Sequence, residues 1–582
     1  MLSNAVLAGT GGAVYLAVII LQLNPRIPLY PDELGSLLLV LALSYGVNLS
    51  VAFYALIVVR QIVAAKVISP GWISLRLLSW SFTAAAAGAA VVMWLNLRGF
   101  GTALDAETAR RMAAGATGLT VCAFVFLLIA VVHYSFGRPG TAAGATLFAL
   151  TAVASAALPV TARGPGQPPA LESRGLGLDT VFAPAGHVPR VVMILLDGAE
   201  LDFISLASVE GRLPGFGRIL DAGSSMHLAT LRPTQPNPVW TSVATGKLPP
   251  KSGIKSNASY RAWFGSERID LLPDYCFAQG LVRFGFLDEL SHSSATPRTR
   301  PLWSILSSAG VPVGIAGWPL THPAQPVRGY LVTDEFYKQD SLAAEPDDPA
   351  GAYPPDLLGP ARVAAARRDD FGPTSGAIGV WSGAAELPRP IAQGSVLAID
   401  RLYDRVDRAL SATGPRVTAV RYRLLDFAGH YYLRYADPRA FGDVTEDERR
   451  GFGRVLESSY GVIDAVIGRA LEELEPGGLL LVVSGYGMKP LPLQKRFLER
   501  LIGDRELSGT HEFAPDGFLL AYGDDVARGR KVRGSLVDVL PTVLYYLGLP
   551  VGRDMDGFAR TDLFKPEFTE RRPLTFIPTY DR

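Results

Sequence analysis

Cysteine is almost missing from this chain: Cys122 and Cys276 are the only two in 582 residues. One falls in an apolar run and the other in the more polar remainder, so a disulfide between them is not expected and the count assigns no redox compartment. Charge is scarce as well, at 19% of residues against 49% hydrophobic, and the formal net charge is +1. That balance gives no electrostatic footprint for nucleic acid, and no nucleic-acid partner is expected. Internal repeats and low-complexity tracts are also absent. At this length one core does not suffice, so two or more domains are expected.

The apolar excess lies almost wholly before residue 163, in five stretches at Ala5–Leu23, Gly35–Val59, Leu77–Leu97, Met112–Tyr134 and Thr141–Ala162. Each approaches or exceeds the roughly 20 helical residues needed to cross a hydrocarbon core. None carries Lys, Arg, Asp or Glu in its middle, as expected where a charge would have no partner. The leader Met1–Gly12 lacks Lys and Arg, and no small-x-small site precedes Asn24–Pro25, so the first stretch is expected to stay in the protein as an anchor. Loop charges do not orient the array. Arg60, Lys66, Arg76 and Arg138 flank one side and Arg26, Arg98, Arg110 and Arg111 the other, so the positive-inside rule is nearly silent. An odd number of spans puts the C-terminal part opposite the N-terminus.

Residues 163–189 are rich in Gly and Pro without periodicity and read as a linker. Beyond them the texture changes. Arg190–Leu196, Val311–Ala316, Arg416–Tyr422 and Leu479–Ser484 read as buried strands, and Pro301–Gly310 and Gly451–Leu474 as helices between them. Such alternation predicts an α/β domain over 190–565, a mostly parallel sheet with helices on both faces, followed by a tail over 566–582.

In sheets of this type functional groups gather past the carboxyl ends of strands. Asp197-Gly198 follows the first strand, and Asp426 and His430 follow the strand at Arg416. A carboxylate and an imidazole four apart meet on one helical face and suit a zinc-like cation. His511, in SGTHEFAPDG, is a third candidate in a chain with seven histidines. On spacing alone the alternatives stay open: Asp197-Gly198 is also a common turn, and Asp426 with His430 also reads as a helix cap beside a satisfied histidine. Trp240 and Trp318 read as core or pocket lining.

Taken together, VVMILLDGAELDFI, PTQPNPVWTSVATGKLPPKSGI, LWSILSSAGVPVGIAGWPLTHPAQPVRGYLVTDEF, LLDFAGH, LVVSGYGM, SGTHEFAPDGFLLAYG and LVDVLPTVLYYLGLP resemble the type I phosphodiesterase/nucleotide pyrophosphatase branch of the alkaline phosphatase superfamily, in order over about 190–560. The resemblance implies two zinc-like ions with a Thr or Ser nucleophile between them, and an active site outside the cytoplasm. One metal site would correspond to Asp426, His430 and His511. The other would use Asp197, the nucleophile and a later Asp-His pair. Counting back from Gly246 puts Pro236 at the nucleophile position, the Asp-His pair reads Gly485-Tyr486, and the His of the usual HGI reads Ser252.

The expectation is therefore a membrane-anchored, extracytoplasmic pseudoenzyme of the inner membrane, retaining one Zn or similar ion and serving a binding or scaffolding role. Its partners would be the membrane, a phosphate-containing ligand or lipid, and a protein. One alternative is a one-metal phosphodiesterase or phosphotransferase on nucleotide or lipid-linked phosphates, with Thr234, near Asn237 and Thr241, replacing the nucleophile. Another gives the helices the main role, in membrane assembly or transport.

Overall fold

The computed structural model describes residues 1–63, 72–135, 142–164, 188–340, 349–366 and 396–581. The linker expected over 163–189 lies outside them apart from its ends, as do Lys66 and Arg138 of the loop count. The chain divides into two compact units: Met1–Pro169 with Lys255–His292, and Ala170–Ile254 with Ser293–Arg582.

The first unit is built on five helices long and apolar enough to cross a membrane: α1 (Leu2–Leu23), α2 (Pro31–Val63), α3 (Leu75–Gly99), α4 (Ala106–Val132) and α5 (Ala142–Ala162). Pro31 opens α2 with Asp32 and Glu33 in its first turn, where a missing N–H costs nothing and negative charge meets the positive end of the helix dipole. A π-helical turn at Ala42–Gly46 interrupts α2. Small residues set how closely the helices pack: a Cβ on Gly9 of α1 would lie 2.2 Å from Ser50 Oγ and 2.5 Å from the Gly46 carbonyl, so only glycine admits this approach.

Lys255–His292 lies within the stretch that reads as α/β domain, yet it packs with these helices. It carries a two-stranded antiparallel hairpin, Ala258–Ala262 with Leu287–Ser291. Tyr260, Ile269, Leu272, Leu281 and Leu287 share one buried cluster with Leu16, Ile20, Leu37 and Val40. The polar attachment is specific. Asn24, just past α1, accepts at Oδ1 from the N–H groups of Asp270 (2.8 Å) and Leu271 (2.9 Å) and donates from Nδ2 to the Leu271 carbonyl at 2.8 Å. Asn96, near the end of α3, exchanges the same kind of bonds with Asp274. Ser36 donates to the Trp263 carbonyl and Tyr45 to the Cys276 carbonyl. An isolated hairpin of this size is marginal in water; helices supply its apolar partner.

The second unit contains a nine-stranded sheet. In chain order its strands are β1 (Val191–Leu196), β2 (Ser224–Ala229), β3 (Val313–Ala316), β4 (Gly329–Val332), β5 (Ala352–Tyr353), β6 (Val417–Tyr422), β7 (Leu479–Tyr486), β8 (Asp516–Gly523) and β9 (Lys531–Ser535). Their spatial order is β9-β2-β8-β7-β1-β6-β3-β4-β5. β8 runs antiparallel to both neighbours and β5 antiparallel to β4, while the other pairs are parallel. Val191, Met193 and Leu195 of β1 enter one apolar cluster, and Ile194 and Leu196 the other. Strands buried on both faces read as near-continuous apolar runs, which is why β1 and β7 lack polar alternation. The C-terminal segment is part of this unit: Phe568, Ile577 and Tyr580 join the first cluster, and buried Lys247 pairs with Asp554 and Asp581.

Candidate functional site

β1 ends at Leu196, and Asp197 follows with its N–H on the Tyr422 carbonyl at 3.0 Å. Gly198 has φ +72°, and a Cβ there would stand 2.7 Å from Asp426 Cα. Glycine is thus required both by the left-handed backbone and by the close pass of the next element. That element is the helix α6 (Leu424–Ala436), with Asp426 in its first turn. Buried Asp400 caps it from outside, accepting from the N–H of Arg423 (3.0 and 2.9 Å) and of Leu424 (2.9 Å).

One turn along α6, His430 Nε2 lies 3.7 Å from Asp426 Oδ2. Its Nδ1 lies 2.9 Å from the Gly509 carbonyl, so Nδ1 carries the proton and Nε2 presents its lone pair to the carboxylate side. Gly509 is tightly placed: a Cβ would fall 2.2 Å from the Gly429 carbonyl. Two residues on, the His511 ring sits 5.2 Å from that of His430. Ligand atoms of Asp426, His430 and His511 all lie within 4.8 Å of one another. Asp426 Oδ1 and His511 Nδ1 are buried without a hydrogen-bond partner among the described residues. Such groups are costly to leave unmade, and one O and two N donors with an open position form a set that zinc-like cations use. The residues therefore fit the metal that the family implies at this half. Burial raises the Asp426 carboxyl while the two imidazoles pull it down, and burial lowers His511 against the pull of Asp426.

Asp197, the fourth predicted ligand, is not brought into this cluster. Its Oδ1 accepts from Trp240 Nε1 at 2.6 Å, and its Oδ2 from Arg421 Nε at 3.0 Å and Nη2 at 2.6 Å. Arg421 lies on β6, two residues diagonally across from Asp197, and is 8% exposed. Burial works against its charge, yet the Asp197 carboxylate holds the guanidinium above its ordinary value. A fixed cation from the chain itself stands against the carboxylate.

The remaining positions of this half are filled too. Pro236 is the first residue of a helix, Pro236–Thr245, a place proline suits. A Cβ on Gly485 would sit 2.4 Å from Val239 Cγ1, so the space an aspartate would need holds Val239. Tyr486 is fully buried, its ring 5.0 Å from that of His511 and its hydroxyl without a hydrogen-bond partner; burial, with Asp197 and Asp426 nearby, raises it far above the usual phenol range. Ser252 is buried. Thr234 donates to the Leu231 carbonyl at 2.8 Å, a turn bond.

Sequence reading missed Arg421 and assigned Trp240 to core or lining. The signal for Arg421 was present: an arginine near the end of RVTAVRY, a strand read as buried, demands a carboxylate partner.

The Asp-His-His cluster lies past the carboxyl ends of the parallel strands, where sheets of this type place their functional groups. The sequence model of the type I phosphodiesterase / nucleotide pyrophosphatase family matches residues 191–542, and the chain belongs to that family. Among curated proteins nothing matches the chain. Among solved structures it is similar to an inactive variant of mouse ectonucleotide pyrophosphatase / phosphodiesterase 5 in complex with AMP, at 12% identity and TM-score 0.36, over 65% of this chain and all of that one.

Proposed function

We propose that this protein is a membrane-anchored pseudoenzyme of the family, with the α/β unit outside the cytoplasm, the helices in the inner membrane, and a role in binding or scaffolding. The observation that carries the reading is the internal satisfaction of Asp197 by Arg421 and Trp240. A two-metal phosphoryl-transfer site needs the second cation to neutralise charge on attacking and leaving oxygens. Here the carboxylate for that cation is spent, and the nucleophile position is Pro236, which has no hydroxyl. Asp426, His430 and His511 would hold one zinc-like ion, which would supply Lewis acidity to a phosphate-containing ligand. The chain's own part is to position that ion and to keep His430 in the tautomer that the Gly509 carbonyl selects.

The orphaned atoms of Asp426 and His511 favour a second reading, a one-metal phosphodiesterase or phosphotransferase. One experiment separates the two. The full chain, purified in detergent with zinc, is assayed for turnover of bis-(p-nitrophenyl) phosphate beside His430→Ala and His511→Ala. Turnover no higher than in the two variants is the expected result. Turnover in the wild type that both substitutions abolish would overturn the pseudoenzyme and establish the one-metal enzyme.

A further inference from the structure

The first unit contains a cluster of buried cationic groups that the described residues leave unsatisfied. Asn24, at the end of α1, binds the backbone of Asp270, and Ser256 Oγ donates to the Asp270 carbonyl at 2.6 Å. These bonds bring Arg26, Lys255 and Asp270 to one place. Lys255 is only 9% exposed and forms no ion pair or hydrogen bond among the described residues. Arg26 Nε and Nη2 are buried with no acceptor among the described residues. The other carboxylate near Lys255, Asp105, is engaged by the N–H and hydroxyl of Thr108 at 2.9 and 2.7 Å. Arg163 adds a third cation close by, donating to the Ile27 carbonyl at 2.7 Å.

We infer that Arg26 and Lys255 form a binding site for a phosphate group, separate from the Asp426–His430–His511 cluster. Buried guanidinium donors without acceptors are costly, and a phosphate offers several oxygens in a geometry that the Arg fork matches. Asp270 offsets one of the charges, which leaves an excess suited to a singly charged phosphodiester. On the membrane reading of α1–α5, on which this part of the inference rests, the pocket stands at headgroup depth because it adjoins the end of α1 and the start of α2. The same inserted segment exposes Phe264 (87%), Phe284 (70%) and Phe277 (60%), apolar rings of the kind that interfacial elements bury at the headgroup boundary. Burial disfavours the charge on both Lys255 and Arg26, with Asp270 opposing it, so an added anion strengthens the folded arrangement.

The test uses the delipidated full chain in dodecyl maltoside, a detergent without phosphate, titrated with phosphatidylglycerol or with inorganic phosphate. Binding is read as lipid adducts in native mass spectra and as a rise in the unfolding midpoint. One phosphatidylglycerol per chain is expected, with affinity lowered about tenfold or more in Arg26→Gln and Lys255→Met and unchanged in His430→Ala. Inorganic phosphate that binds with the same dependence on Arg26 and Lys255 would identify free phosphate as the source and keep the site. Arg26→Lys and Lys255→Arg retain charge and should retain binding, so a folding defect in the neutral variants does not mimic the result. Equal binding by wild type and all four variants overturns the proposal. A chain that stays monodisperse without detergent would overturn the membrane reading instead, and the phosphate titration still tests the pocket.

Discussion

Two halves of one site, built on adjacent strands and sharing a backbone crossing at Gly198, have come to opposite states. In the half at Asp426, His430 and His511, Asp426 Oδ1 and His511 Nδ1 are buried without a partner among the described residues. The half at Asp197 has answered its carboxylate from within, with a guanidinium and an indole N–H. A protein donor does for a buried carboxylate what a cation does electrostatically, but it opens no coordination position for substrate or water. On the pseudoenzyme reading proposed above, the first half is the one suited to an exchangeable ion, and the second serves as structure.

The largest effect that could break this comparison is at Arg421. Its removal as Arg421→Met leaves Asp197 buried with one partner, and stripping one member from a buried pair costs about 3–5 kcal/mol. The full chain should lose that much in denaturant unfolding, or fail to accumulate. Replacing both charges, as Asp197→Asn with Arg421→Met, should recover most of the loss, because two neutral groups carry no uncompensated charge. If the single substitution is silent, Arg421 is not holding the second half together.

Restoring an acid by Gly485→Asp comes next. Val239 Cγ1 would be 2.4 Å from the new Cβ, and overpacking of this kind costs about 1–3 kcal/mol. Adding Val239→Ala should relieve the clash without bringing a second metal, since Arg421 still occupies Asp197. Elemental mass spectrometry showing two ions per chain would mean the second half is dormant rather than converted.

The metal half gives a smaller stability effect and a sharper binding one. Purified full chain should carry about one zinc-like ion, because three ligands with an open position suffice to hold one. His430→Ala should reduce this to near zero. In chelator the same variant should lose only about 1 kcal/mol, the worth of the bond from Nδ1 to the Gly509 carbonyl. A wild type without metal would show that the two halves are closed alike. The measurement needs the whole chain: a fragment starting at the linker keeps Lys255–His292 but discards its helix partners.

Sequence signals carried the helices and much of the sheet. α1–α5 were legible because charges are missing from long apolar runs, and β1, β3, β6 and β7 because strands buried on both faces lose alternation. The gathering of Asp426 and His430 followed from their i,i+4 spacing. What could not be read was set by register and by tertiary contact. The diagonal from Asp197 to Arg421 exists only because Leu195 pairs with Arg421 between β1 and β6. The two antiparallel pairings of β8 carry no local mark. The docking of Lys255–His292 on helices far earlier in the chain depends on Asn24, 246 residues before its partner Asp270, and Asn96, 178 before Asp274, two polar residues that look unremarkable at helix ends.

The smallest effect tests whether the two halves share a support. Asp400 caps α6, which carries the metal half, through the N–H groups of Arg423 and Leu424, and it feels the charge of Asp197 in the other half. Burial pushes its carboxyl up to about 7, against those backbone bonds, with Asp197 adding to the rise. Between the ordinary carboxylate range and about 7 the folded chain therefore holds a proton that the unfolded chain has released. By linkage, stability falls as pH rises through that window. In metal-free buffer the unfolding midpoint should decline from pH 5 to pH 8, and Asp400→Asn should make the decline shallower while keeping the cap, since the amide oxygen still accepts; Glu200 and Asp407, whose carboxyls burial also raises to about 7, carry the rest. The shared cap also makes a sharper demand: with metal restored, the variant should bind it as well as the wild type does, because neither ligand helix nor Arg421 pair has lost a contact. A variant that kept the wild-type slope would place the proton elsewhere, and one that lost metal would show that the charge on Asp400, rather than its hydrogen bonds, sets the cation affinity of the open half.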